Sequence, residues 1–178
     1  WNHGGIQPEI ATTWAGIVGP GVRNNGDDRT WADHTDIRPT MLNLVGLKDS
    51  YLDDGRVLID QLDASAVPQS LRAHRETLRR LGEVYKQLNA PFGEFGMAAL
   101  AASTKAIKSG TAADDSRYSA IETQLSSLTS QRDALASQIR GALDGAAFGG
   151  DSLNEQQAKH WITQAGDLID QAAALASS

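Results

Sequence analysis

The sequence predicts an α/β segment over residues 1–63 followed by an all-helical extension of about four helices over residues 64–178. Three observations carry that division. An apolar, β-branched and aromatic run, Ile10 to Val18, ends in the turn residues Gly19-Pro20-Gly21, as a buried strand does. Beyond residue 64 the apolar residues instead recur at spacings of three and four, the period of an amphipathic helix. Composition changes at the same place. Residues 1–63 hold ten acidic and five basic side chains among Gly, Pro, Trp and Thr, whereas 64–178 hold twelve and eleven and are rich in Ala, Ser, Gln and Leu.

In the first segment, Thr35 or Asp36 is positioned to cap a helix with Pro39 in its first turn. Ile37, Met41, Leu42, Leu44 and Val45 form its apolar face, and Gly46 ends it. Asp53-Asp54-Gly55 makes a turn ahead of the short apolar run Val57-Leu58-Ile59. The order strand, turn, helix, strand suggests the tail end of an α/β sheet.

In the second segment, Val67, Leu71, His74, Leu78, Leu81, Tyr85 and Leu88 define one face of a helix that Pro91 terminates. A shorter helix follows from about Glu94 to Lys108. A long one runs from about Asp115 to Leu143, with Ile121, Leu125, Leu128, Leu135 and Ile139 on a heptad-like seam that Arg132 interrupts. Ser152 and Glu155 have the spacing of a capping box for the last helix, whose stripe is Trp161, Ile162, Ala165, Leu168, Ile169 and Ala172. Helical hairpins or a small antiparallel bundle follow from these patterns.

Net charge of −6 argues against a nucleic-acid partner, which selects a basic surface. With no cysteine, disulfides and thiolate zinc sites are excluded, so a metal here must be held by His, Asp, Glu or Asn. No apolar run has the length of a membrane span. The spacing of Gly16, Gly19 and Gly21 matches neither a dinucleotide fingerprint nor a P-loop and reads as a turn.

Two clusters have donor chemistry suited to a metal. His3, beside Asn2 and before Gly4-Gly5, stands where the backbone turns sharply and an imidazole can face a cleft; a plain polar turn is the competing reading. His34 lies within Asp33-His34-Thr35-Asp36 at a helix start, where it either ligates or braces the turn by hydrogen bonding. Asp36 is explained by capping alone. His74 and His160 are read as packed or interfacial, and Arg72, Arg75, Arg79 and Arg80 as a solvated basic face.

Several of these residues stand in an order that resembles the C-terminal end of the alkaline phosphatase superfamily, which includes sulfatases, phosphodiesterases and nucleotide pyrophosphatases. The order is His3-Gly4-Gly5, Pro8-Glu9-Ile10, Ile17 to Val22, His34-Thr35-Asp36-Ile37 with Pro39-Thr40-Met41-Leu42 and Gly46-Leu47, and Asp54-Gly55-Arg56. The similarity covers residues 1–63. It implies a metal-dependent phosphoesterase or sulfatase-like hydrolase acting on a phosphate or sulfate ester, with divalent metals polarising the ester oxygens.

The resemblance maps a metal-binding pair onto Asn2 and His3, with Asn in place of the phosphatases' Asp, and makes His34 a further ligand of lower rank. Zinc or manganese suits nitrogen and oxygen donors, and calcium suits a site dominated by oxygen. It also implies that the nucleophile and earlier metal-binding aspartates lie upstream of Trp1, that this chain alone is inactive, and an extracytoplasmic location. The alternative is a non-catalytic helical interaction module carrying a degenerate enzyme remnant. Under either reading the helices offer a surface for self-association.

Overall fold

The computed structural model describes residues 8–24, 26–48, 50–107 and 112–177. Its elements are α1 (Pro8–Ala11), α2 (Ile37–Leu44), α3 (Gln69–Ala73), α4 (Arg75–Asn89), α5 (Glu94–Ile107), α6 (Ala112–Asp144) and α7 (Glu155–Ser177). Three 3-10 turns (His34–Asp36, Ile59–Gln61 and Ala64–Ala66) and one π-helical turn (Gly145–Gly149) complete them.

The architecture is all-helical, which overturns the α/β expectation for residues 1–63. Among the described residues there is no strand; a single antiparallel bridge joins Val22 to Leu62. It is flanked by Arg23 N–H donating to Gln61 O and Asp63 N–H donating to Gly21 O, each at 2.8 Å. The run read as a buried strand begins in α1 and continues as irregular chain, with Trp14 86% and Val18 97% exposed. Strand propensity marks residues suited to a sheet, but a strand exists only when another lies alongside to take its hydrogen bonds. Val57-Leu58-Ile59 likewise passes into a 3-10 turn; Val57 and Ile59 are buried in the core.

Helix α2 forms where the sequence placed it, with a different start and only part of the expected face inward: Leu44 packs against the core. Asp33, not Thr35 or Asp36, supplies the side-chain cap: its carboxylate accepts from Thr35 N–H at 2.9 Å, and Asp36 returns a bond to Asp33 N–H at 3.1 Å. At the other end Gly46 takes a φ of 68°, while Leu47 N–H reaches Leu42 O at 2.9 Å, satisfying a carbonyl the helix leaves open. Pro39, Thr40 and Asn43 are buried; Ile37, Met41 and Val45 face solvent.

The rest of the molecule is a cluster of α4, α5, α6 and α7 in which every pair of helices touches. Leu78, Leu81, Tyr85 and Leu88 from α4, Phe95 from α5, Leu135 and Ile139 from α6 and Leu168 and Ile169 from α7 share one core with Leu62, Val67 and Leu71. The periodicity of the sequence accounts for the faces of α4, α6 and α7. His74 divides the first predicted helix into α3 and α4 and stands partly buried at an interface, as one of its two readings expects. Its imidazole meets Glu155 Oε1 at 3.0 Å and Ser152 Oγ at 3.2 Å. That contact removes Ser152 from the expected capping box, and Asn154 accepts from Gln157 N–H in its place at 3.0 Å. No helix among the described residues is long and apolar enough to cross a membrane.

Candidate functional site

The residues of the 33–56 pattern converge on one compact knot of polar contacts. Its centre is Asp36, whose side chain has no exposure to solvent. Asp36 Oδ1 accepts from Arg56 N–H at 2.8 Å, and its backbone carbonyl accepts from the Thr40 hydroxyl at 2.6 Å. Thr40 Oγ1 in turn accepts from Leu58 N–H at 3.0 Å, so one threonine joins the start of α2 to the segment after Arg56. Gly55 lies directly under this turn: a Cβ there would stand 2.0 Å from Thr35 O, a distance no side chain tolerates.

Arg56 crosses the knot and is itself 6% exposed. Its guanidinium donates to Trp31 O at 3.0 Å and to Arg79 O of α4 at 3.4 Å. Gly82 of α4 makes room for it, since a Cβ at that position would sit 2.6 Å from Arg56 Cδ. Of the four arginines expected to form a solvated face, Arg72 and Arg80 are exposed, while Arg75 and Arg79 are used here. Arg75 donates to Ile59 O and to Leu62 O, and Arg79 pairs with Glu76 and Glu83 at 2.7 Å each and with Asp60 at 3.7 Å. They hold the 59–62 turn on α4.

The charges of the knot act on one another. Burial raises Asp36 above the ordinary carboxylate range, against the pull of Lys86 and of the Arg56 and Asp33 amides. Burial acts in the same direction on Asp33, but hydrogen bonds from Thr35 and Lys86 outweigh it and hold Asp33 below that range. Burial lowers Arg56, and the nearby Asp36, Glu83 and Asp60 charges oppose it.

The sequence-predicted site residues fare differently. His34 stands on the 3-10 turn with its side chain exposed, between Asp33 and Thr35. Asn2 and His3 lie outside the described residues. Asp33 and Asp36 are engaged by Lys86 and backbone amides, and among the described residues no three His, Asp or Glu side chains stand together as a metal-ligand set. His34 is the one member of the expected donor set that the described residues place. Sequence reasoning missed Lys86 as a member of the site, and it named Arg56 only within the Asp54-Gly55-Arg56 motif, without a role. The available signal was Gly82, a residue with no helical advantage one turn before a lysine on the same face of α4.

No family profile matches the chain, and no curated protein or solved structure matches it either.

Proposed function

We propose that the chain is part of a metal-dependent phosphoric or sulfuric ester hydrolase. His34, with Asn2 and His3, contributes nitrogen and oxygen donors to a divalent metal site, zinc or manganese in preference to calcium, and the nucleophile comes from outside residues 1–178. The observation that supports this reading is the knot itself. Asp36, Thr40, Gly55 and Arg56, which carry the resemblance, together with Asp33 fix the backbone on both sides of His34 while its imidazole remains exposed.

When bound, the metal supplies Lewis-acid polarisation of an ester oxygen. The chain's own contribution is to orient the ligands. Titration of Zn²⁺ and Mn²⁺ into the chain tests the reading: His3→Ala and His34→Ala are each expected to weaken binding by roughly tenfold or more. Unchanged affinity in both variants would overturn it.

The competing function, a non-catalytic helical interaction module, draws on the exposed Met97 and Leu100 of α5. It makes the opposite forecast for both histidines.

A further inference from the structure

We infer that Lys86 of α4 is a positioning residue for the His34 turn, so that the helical bundle sets where the imidazole stands. The inference rests on the reading of His34 as a metal ligand. Lys86 is 2% exposed, and its ammonium contacts residues on both sides of His34. Nζ stands 2.9 Å from Asp33 Oδ2, 2.8 Å from Thr35 Oγ1 and 3.5 Å from Asp36 Oδ1, and it donates to Asp54 O at 3.0 Å. An ammonium has three protons to donate, and Asp33, Thr35 and the Asp54 carbonyl account for them. Displacing this one group releases three of the four residues of the turn together with the loop that packs beneath it.

An apolar side chain could fill the same space on a core-forming helix. Replacing a whole buried ion pair by apolar groups is often neutral or stabilising, so burial energy alone does not call for a lysine here. What the ammonium adds is direction. It fixes the Asp33 carboxylate, which caps the turn, and the Thr35 hydroxyl, which donates to Asp33 Oδ1 at 2.5 Å. His34 is the residue between them.

The test compares four variants of the 178-residue chain: Lys86→Met, Lys86→Arg, His34→Ala and Leu88→Ala. The last deletes a core side chain on the same helix and controls for lost stability. Two quantities are read, the affinity for Zn²⁺ alone and the hydrogen exchange of the Asp36 and Arg56 amides. Lys86→Met is expected to weaken Zn²⁺ binding roughly tenfold, approaching His34→Ala, with most of the affinity recovered in Lys86→Arg. Exchange at Asp36 and Arg56 should accelerate by about tenfold in Lys86→Met, while Leu88→Ala leaves both readouts near the parent after correction for global stability.

Equal weakening of Zn²⁺ binding by Leu88→Ala and Lys86→Met would overturn the inference, as would parental affinity in Lys86→Met while His34→Ala binds weakly. If His34→Ala binds Zn²⁺ as the parent does, the metal reading of His34 falls. The exchange result then decides Lys86 by itself, with unchanged exchange in Lys86→Met overturning the anchoring role. Should Lys86→Met not fold, Thr35→Val removes the hydroxyl that Lys86 grips and is read in the same way.

Discussion

The two parts of the molecule are held by different forces. From α4 onward, stability comes from apolar side chains on facing helices: Leu78, Leu81, Tyr85, Leu88, Ile139 and Leu168 are buried against one another. Between α1 and the Ile59–Gln61 turn, the buried side chains include Asp36, Thr40, Asn43, Asp53 and Arg56, while Trp14, Val18, Val45, Leu47, Tyr51 and Leu52 are exposed. Burial of apolar area is non-directional and tolerates small displacements, whereas a buried charge is stable only with its partners in place. The helical part therefore behaves as a resilient body and the 33–56 knot as a precise but brittle fixture upon it.

The largest expected effect tests the brittle half. Asp36→Ala removes the acceptor for two backbone amides and one of the carboxylates around the buried Lys86 ammonium. Breaking a buried pair from one side costs about 3–5 kcal/mol, and urea unfolding should show a loss of this size. Amide exchange should accelerate first in residues 33–58 while α5 to α7 stay protected, because the knot is the local unit that opens. A loss below about 1 kcal/mol, the worth of a single ordinary hydrogen bond, would show that the knot does not hold this region.

Next comes the resilient half. Ile139→Ala deletes a wholly buried side chain of α6 and should cost about 2–4 kcal/mol with exchange faster throughout the bundle. Exchange that accelerated in the knot alone would break the comparison, since it would place the apolar core under the control of the polar one.

The same contrast explains what could be read from the sequence. Helices α4, α6 and α7 are legible because their information is local: the three-four spacing names the buried face without any knowledge of a partner. The expected strand at Ile10–Val18 is not, because pairing depends on residues far along the chain, and composition alone does not supply them. Helix α2 shows a subtler failure. Of the apolar residues that periodicity assigns to the core, Leu44 packs against it while Ile37, Met41 and Val45 are exposed. Thr40 and Asn43 are buried, because Thr40 bridges Asp36 to Leu58 and Asn43 Nδ2 donates to Ala147 O at 3.1 Å.

At the site, the helix and its Gly46 end were legible, but its cap was not: Asp33 takes the place expected of Thr35 or Asp36. The use of Lys86 was not legible either, since an isolated lysine on a helix normally marks a solvent-facing position. Arg75 and Arg79 were hidden for the same reason. Their distant partners, the Ile59 and Leu62 carbonyls and the Asp60 carboxylate, are brought near only by the fold, whereas Glu76 and Glu83 lie one turn from Arg79 on the same helix.

A third, smaller effect lies at the boundary between the two parts. Asp144 ends α6 beside Asp53 and Asp54, and its pKa is pushed up to about 6, chiefly by burial and then by Asp53, with Arg140 opposing and Asp54 adding to the rise. Between the ordinary value of 3.8 and about 6, the folded chain holds a proton that the unfolded chain has released. Stability from this group therefore falls as pH rises through that window, and the full penalty is present above it. Asp144→Asn removes the penalty. With solvent screening of a half-buried group allowed for, the variant should be more stable than the parent by roughly 1 kcal/mol at pH 7.5. The gain should vanish near pH 4. A gain that stays constant across this range would assign the effect to packing.

The smallest effect probes the exposed apolar face of the first part. Leu47 and Leu52 are 57% and 59% exposed, so neither has much burial to lose. If the polar knot alone organises this region, Leu47→Ser and Leu52→Ser should each change stability by no more than about 0.5 kcal/mol, as surface substitutions do. Thermal unfolding at two protein concentrations checks this. A loss above about 1.5 kcal/mol, the scale of a buried leucine, would mean that the face is covered in solution. If that loss grew with protein concentration, the cover would be a second copy of the chain. The first part would then be held by apolar contacts as the bundle is, and the contrast between the two regions would belong to the isolated chain.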